Sequence, residues 1–273
     1  MAAPLPRIAC FHGGGSNSAI FSVQCESLQR LFSTKFQFIF FDAPFTRDAG
    51  PGVLPYFTED KFGPYRTWFC KDKDRPDGRD EEGKSENGIE RVVRMIIEKG
   101  GEGEWVGCMG FSQGTRVVGG LLLEQMRLRQ LGVPGLGVEF GDLGITFRFG
   151  VLCMGGGAPM LSEVSYRRFS KPLLLLFLSF FGWGNLLMMG IASNTDLVDI
   201  PTLHLHGLTD VNLENGRKQV ANYYDPRMTR VIEINYHHAM PWHKHDLLKL
   251  EEAIRKIDKE TEDMYELVPW KLE

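Results

Sequence analysis

A serine framed by glycines, Gly110-Phe111-Ser112-Gln113-Gly114, follows the apolar run Trp105–Met109 and precedes a helix-compatible stretch from about Thr115 to Gln130. Strand, sharp turn and helix form the setting in which a serine Oγ stands out at the carboxyl end of a sheet. Glycines two positions to either side let strand and helix close around it. The string alone is common, and its flanking elements are what make Ser112 a candidate nucleophile. A serine hydroxyl attacks poorly unless an imidazole takes its proton. That imidazole in turn needs a carboxylate to hold its tautomer and balance its charge.

The partners must lie at the same end of a sheet. Asp210 follows the apolar run Thr202–His206, and His238 follows the next run, Arg230–Ile234. Nucleophile, acid, histidine is the chain order of an α/β-hydrolase and differs from the orders of chymotrypsin and subtilisin. Asp199 and Asp246 are competing acids, but Asp199 precedes its strand and Asp246 falls inside a terminal helix. Asp210 also has the simpler reading of a cap for a helix starting near Leu213. The base is chosen from His237, His238, His243 and His245, with His238 favoured over its neighbour. Four histidines in nine residues invite a metal reading. No compact set of cysteine or carboxylate ligands accompanies them, and His243 and His245 would not share one helix face, so neither a metal nor a cofactor is expected.

A negative oxygen developing on an acyl carbon needs donors already in place. The backbone N–H of Gln113 is one candidate, and an N–H of the first strand's loop, His12-Gly13-Gly14-Gly15-Ser16-Asn17, is the other, taken at Gly14. That loop lacks both the GxGxxG arrangement and the GK[ST] ending of phosphate cradles.

The elements that must carry these residues alternate. Arg7–His12 and Phe36–Phe41 read as strands around a helix over about Ala19–Phe32, with Ser16 or Asn17 as its cap. Glu86–Lys99 has apolar residues at Ile89, Val92, Val93, Ile96 and Ile97, the helical period. Arg148–Met154 is a further strand, and His243–Met264 is an amphipathic helix. Asp72–Glu86 looks like a solvated loop, while Val133–Ile145 is ambiguous. The expected fold is a single α/β domain over residues 1–273, a mostly parallel sheet flanked by helices. An apolar, lid-like insertion is expected over residues 158–200.

With 31 Lys+Arg against 35 Asp+Glu, the net charge of −4 gives no electrostatic basis for binding nucleic acid. A 43% hydrophobic content excludes general disorder. Five cysteines without a Cys-x-x-Cys pair fit free thiols in a reducing compartment, and no secretory leader is evident, so the expected location is cytoplasmic. Pro172–Ile191 is long enough to weigh as a membrane span. It is interrupted by Gly182, Gly184 and Asn185, and reads better as a lid or buried helical pair. Its Phe177, Phe180, Phe181 and Trp183 are candidate walls of an acyl-binding pocket.

Several motifs together resemble the FSH family of eukaryotic serine hydrolases: CFHGGGSN at Cys10–Asn17, FDAPF at 41–45, Tyr65–Phe69, GFSQG at Gly110–Gly114, HGLTD at His206–Asp210 and HAMP at His238–Pro241. The resemblance implies an α/β-hydrolase fold with Ser112 as nucleophile, Asp210 as acid and His238 as base. Family members often carry glycines just before that histidine, where this chain has Tyr236-His237. The resemblance further implies thioesterase activity that releases a polyketide-like acyl chain from a carrier protein or polyketide synthase. A general carboxylesterase on lipophilic esters and a non-catalytic lipid-binding protein are the competing readings.

Overall fold

A computed structural model of the chain describes residues 3–70, 76–130, 132–137, 144–162 and 197–266. Six strands form one parallel sheet: β1 (Arg7–Phe11), β2 (Gln37–Phe41), β5 (Trp105–Phe111), β6 (Phe149–Cys153), β7 (Thr202–Gly207) and β8 (Thr229–Ile234), in the order β2-β1-β5-β6-β7-β8. The chain builds outward from β1 in one direction, then crosses to the other side at β5. Such a reversal leaves a crevice at the carboxyl ends of the two strands, where α/β folds place their ligands. Register brings those ends level, with Phe11 opposite Gly110, Phe111 opposite Cys153 and Gly207 opposite Ile234.

Alternation along the strands feeds two cores. In β1, Ala9 and Phe11 face one layer, with Ile89, Val92, Val93 and Ile96 of α4 (Gly88–Glu98) and Val117, Val118 and Leu121 of α5 (Gly114–Gln130). Ile8 and Cys10 face the other, with Phe21 of α1 (Ser18–Gln24), Leu28 of α2 (Glu26–Leu31) and Leu250, Ile254 and Ile257 of the last helix. Burying each such aliphatic side chain is worth roughly 1.5–3 kcal/mol. That last helix, Lys244–Glu266, is here α7, and Leu213–Tyr223 is α6. The α7 residue Asp258 is buried and held by Lys35 at 2.7 Å and Arg148 at 3.0 Å, the pairing a buried carboxylate requires.

The structure departs from the sequence expectations in several places. The helix expected over Ala19–Phe32 breaks at Cys25, whose N–H bonds both the Phe21 and Ser22 carbonyls. Phe21, Cys25 and Leu28 share one core, so the apolar period continues through the break and conceals it. Asn17 is the cap, accepting the Ile20 N–H at 2.9 Å. Helix α4 begins two residues later than expected, because Asn87 accepts the Ile89 N–H. The segment after β2, for which no element was expected, forms the two-stranded ladder β3 (Phe45–Thr46) with β4 (Arg66–Thr67) and the short α3 (Glu59–Phe62).

Of the charged stretch before α4, residues 72–75 lie outside the described residues, and the remainder is not simply solvated. Asp77 is buried, its carbonyl accepts the Gly88 N–H, and Arg91 donates to the Gly78 and Glu86 carbonyls. Leu136 and Ile145 exchange backbone hydrogen bonds in the segment whose character was ambiguous. All five cysteines are free, and four are buried. Among the described residues, no helix is long and apolar enough to cross a membrane. Most of the expected insertion, with Phe177, Phe180, Phe181 and Trp183, lies outside the described residues.

Candidate active site

Ser112 terminates β5 with φ 52°, in the left-handed region that a residue with a side chain enters at a cost of about 1–3 kcal/mol. Its N–H donates to the Cys153 carbonyl at 2.9 Å, tying the turn to the end of β6. Its carbonyl accepts the Thr115 Oγ1–H at 2.7 Å and the Thr115 N–H at 3.1 Å, which starts α5. The flanking glycines are required by close approach. A Cβ on Gly110 would strike the Gly114 carbonyl, and a Cβ on Gly114 would strike the Phe11 carbonyl of β1.

The three residues expected to act together meet at this edge. His238 Nε2 lies 2.8 Å from Ser112 Oγ, and His238 Nδ1 lies 2.7 Å from Asp210 Oδ2. The Asp210 side chain is 2% exposed and that of His238 18%, so the carboxylate is sealed while the imidazole reaches the surface. Backbone pairing holds their loops in register beyond the sheet. Leu208 N–H donates to the Ile234 carbonyl and Thr209 N–H to the Tyr236 carbonyl, continuing the β7–β8 ladder as far as the two side chains. The His238 ring packs beside Phe111, with centroids 5.1 Å apart. The Tyr236 hydroxyl accepts the N–H groups of Trp242 and His243, closing the loop behind the histidine.

The rival residues are elsewhere. Asp199 precedes β7 and forms an exposed ion pair with Arg129 at 2.6 Å. Asp246 sits in the first turn of α7. His237 is exposed with its ring against Trp242, and His243 and His245 are exposed as well. A Cβ on Gly155, just after β6, would press on Thr115 Oγ1 and Gln219 Oε1. A cavity of about 380 Å³ beside Arg7, Ile96 and Trp105 lies at the opposite end of the sheet, where β1 and β5 begin.

The β1 loop passes directly over the elbow. A Cβ on Gly13 would come 3.2 Å from Ser112 Cβ, and one on Gly14 would come 3.2 Å from the Gln113 side chain. His12, which the sequence reading assigned no task, fixes this loop. Its Nδ1–H donates to the Gly13 carbonyl at 2.7 Å, and its Nε2 accepts the Ala43 N–H at 3.0 Å. Both nitrogens are thereby satisfied in the neutral ring, and burial lowers its pKa to about 4. The Trp68 indole N–H donates to the His12 carbonyl at 2.9 Å, and the Arg66 backbone pairs with Gly15 and Ser16 of the same loop. A histidine immediately before a glycine run was the available signal for the first of these contacts. The ladder that brings Trp68 had no periodic signal at all.

A parallel α/β sheet carrying a strained serine, an imidazole and a buried carboxylate in hydrogen-bonded series defines a serine hydrolase of the α/β-hydrolase class. The comparisons agree. Residues 1–250 match the family model described as serine hydrolase (FSH1), and the chain belongs to that family. It is 34% identical to esterase citA of Monascus ruber, over 94% of each chain. It is 33% identical to esterase claE of Penicillium crustosum, again over 94% of each. The fold is shared with the crystal structure of Zea mays acyl-protein thioesterase 2, at 17% identity over 94% of this chain and 95% of that one, with a TM-score of 0.50. The crystal structure of esterase PE8 is similar at 16% identity over 93% and 94%, with a TM-score of 0.51.

Proposed function

We propose that this serine hydrolase is a carboxylic ester hydrolase acting on lipophilic acyl esters through Ser112, His238 and Asp210. The observation that carries the reading is the unbroken series Ser112 Oγ, His238 and Asp210 Oδ2, at 2.8 and 2.7 Å. His238 Nε2 takes the hydroxyl proton as Oγ bonds to the acyl carbon, a step in which a positioned base contributes about 10²–10⁴-fold. The Asp210 carboxylate holds the Nδ1–H tautomer and offsets the imidazolium charge. The Gln113 and Gly14 N–H groups receive the oxyanion, each such donor being worth about 10²–10³-fold. Collapse breaks the bond from the acyl carbon to the alcohol oxygen, and the alcohol leaves with the proton held on His238. Water then gives a proton to His238 while attacking the acyl-enzyme, and that proton returns to Ser112 Oγ as the acid is released.

An oxygen ester is preferred to the carrier-bound thioester of the family resemblance because the curated relatives named above are esterases. Lipophilic preference is supported by the composition of Leu173–Met189, in which Phe177, Phe180, Phe181 and Trp183 accompany a run of leucines. The test is intact-mass analysis of wild type and Ser112→Ala after a fluorophosphonate, together with turnover of oxygen esters and thioesters carrying the same acyl chains. One adduct that disappears in Ser112→Ala, with kcat/KM for the oxygen ester at or above that for the thioester, is the expected result. Faster turnover confined to thioesters of an acyl carrier protein would favour the polyketide-releasing role. No adduct on folded wild type would end the serine mechanism and favour a lipid-binding protein.

A further inference from the structure

The side chain of Gln113 has contacts that its backbone role does not require. Its Oε1 accepts the Trp68 N–H at 2.9 Å and lies 3.0 Å from Thr67 Oγ1, a hydroxyl that also has the Phe69 carbonyl within 3.2 Å. On its other side, a Cβ built on Gly14 would be 3.2 Å from Cδ, from Oε1 and from Nε2 alike. Equal distances to all three atoms mean that the flat face of the carboxamide is turned toward Gly14 and leaves little room for a side chain there. The carboxamide is therefore a plate between the β1 loop and the Thr67–Trp68 segment. Trp68 also holds that loop directly, through its indole N–H and the His12 carbonyl.

These contacts join the two halves of the oxyanion site through a third piece of chain. Gln113 belongs to the elbow, Gly14 to the β1 loop, and Thr67 and Trp68 to the end of β4. An oxyanion is stabilised only if its donors are held at the right separation before reaction, since donors that must reorganise lose most of their effect. A glutamine side chain has three rotatable torsions, and two acceptor contacts on Oε1 fix where its plane lies.

We propose that the Gln113 side chain is a positioning residue for the oxyanion site, its carboxamide anchored on Thr67–Trp68 and its face setting the spacing between Gly14 and the elbow. The proposal rests on the reading of Ser112 as nucleophile. Gln113→Met keeps the length and volume of the side chain and removes the acceptor. Each variant is titrated with a fluorophosphonate so that rates are expressed per competent site. The measurements are then kcat and KM for an oxygen ester, and Ki for a trifluoromethyl ketone of the same acyl chain. That ketone places an oxyanion in the site when Ser112 adds to it.

Gln113→Met is expected to lower kcat per titrated site roughly 10- to 100-fold and to raise the ketone Ki by the same factor, with KM within about twofold. Thr67→Val is expected to show a smaller loss of the same kind and Thr67→Ser to restore it, which keeps the test open if Gln113→Met fails to fold. A purely structural role would instead lower the number of titrated sites and leave kcat per site and Ki unchanged, and that result overturns the proposal. Failure of the underlying reading is seen separately and earlier, as wild type that does not titrate or Ser112→Ala that still turns over.

Discussion

Asp210 and His238 are joined by only one of the two carboxylate oxygens. Oδ2 lies 2.7 Å from His238 Nδ1, while Oδ1 accepts the Asn212 N–H at 2.8 Å and the Asp210 carbonyl accepts the Leu213 N–H at 3.0 Å. The acid role suggested by the sequence is thus held by Oδ2, whereas the cap position of the helix falls to Asn212 and Oδ1 instead closes a turn onto the Asn212 N–H. The second bond locks the carboxylate against rotation, so that Oδ2 stays directed at the imidazole.

That division separates catalysis from stability by mutation. Asp210→Asn keeps an oxygen able to accept the Asn212 N–H but cannot enforce the Nδ1–H tautomer, and kcat should fall by about 10⁴-fold. Asp210→Ala loses the turn bond to Asn212 as well and should be less stable than Asp210→Asn by about 1 kcal/mol. Ester turnover and urea unfolding of the two variants check both statements. An Asp210→Asn enzyme retaining most of its activity would remove Asp210 from the mechanism.

The histidine assignment is tested in the same assay. His238→Ala should reduce kcat by at least about 10⁴-fold, since nucleophile and base act as a unit. His237 is exposed and touches Trp242 rather than Ser112. His237→Ala should stay within about threefold of wild type, as surface changes away from the reacting atoms usually do. A reversal of these two results would require a different rotamer of the whole loop from Tyr236 to Met240.

The triad was legible because parallel strands bring their carboxyl ends to one edge, so residues just after three separate strands must be neighbours. What was illegible is the frame around it. β3 and β4 are two residues each, too short for alternation to register, yet they deliver Trp68 to His12 and Gln113. Asp77 lies in a string of charges that reads as solvent-facing, and only its contact with the start of α4 shows otherwise. The break at Cys25 escaped because an apolar stripe reports which face is buried rather than whether the helix is continuous.

Gly114 is the position where the elbow tolerates least. A Cβ there would meet the Phe11 carbonyl, and that carbonyl cannot retreat because β1 is paired on both sides, with β2 and β5. Gly114→Ala should destabilise the fold by about 3 kcal/mol or more, the upper range for overpacking. Denaturant unfolding and fluorophosphonate titration should show fewer folded molecules, with little reaction in those that remain. A variant of wild-type stability would mean that the turn relaxes without disturbing β1.

Acid should unfold this protein through its buried imidazoles. Burial lowers the pKa of His12 from 6.5 to about 4 and that of His204 to about 3, the latter set edge-to-face against Tyr224 with ring centroids 4.5 Å apart. Above pH 6.5 both states of the chain hold these rings neutral and nothing is lost. As the pH falls from 6.5 towards 4, the unfolded chain takes up two protons that the folded one refuses, so stability declines with acidification. The pair should cost roughly 3 kcal/mol per pH unit over that window, or about 4 kcal/mol by pH 5, a large part of the stability of an ordinary domain. His204→Phe keeps a ring on Tyr224 but has no proton to gain, and its stability should fall about half as steeply with pH. Urea unfolding at pH 7, 6 and 5 gives both slopes. Equal slopes for the two proteins would show that His204 is protonated in the fold and that acid acts elsewhere.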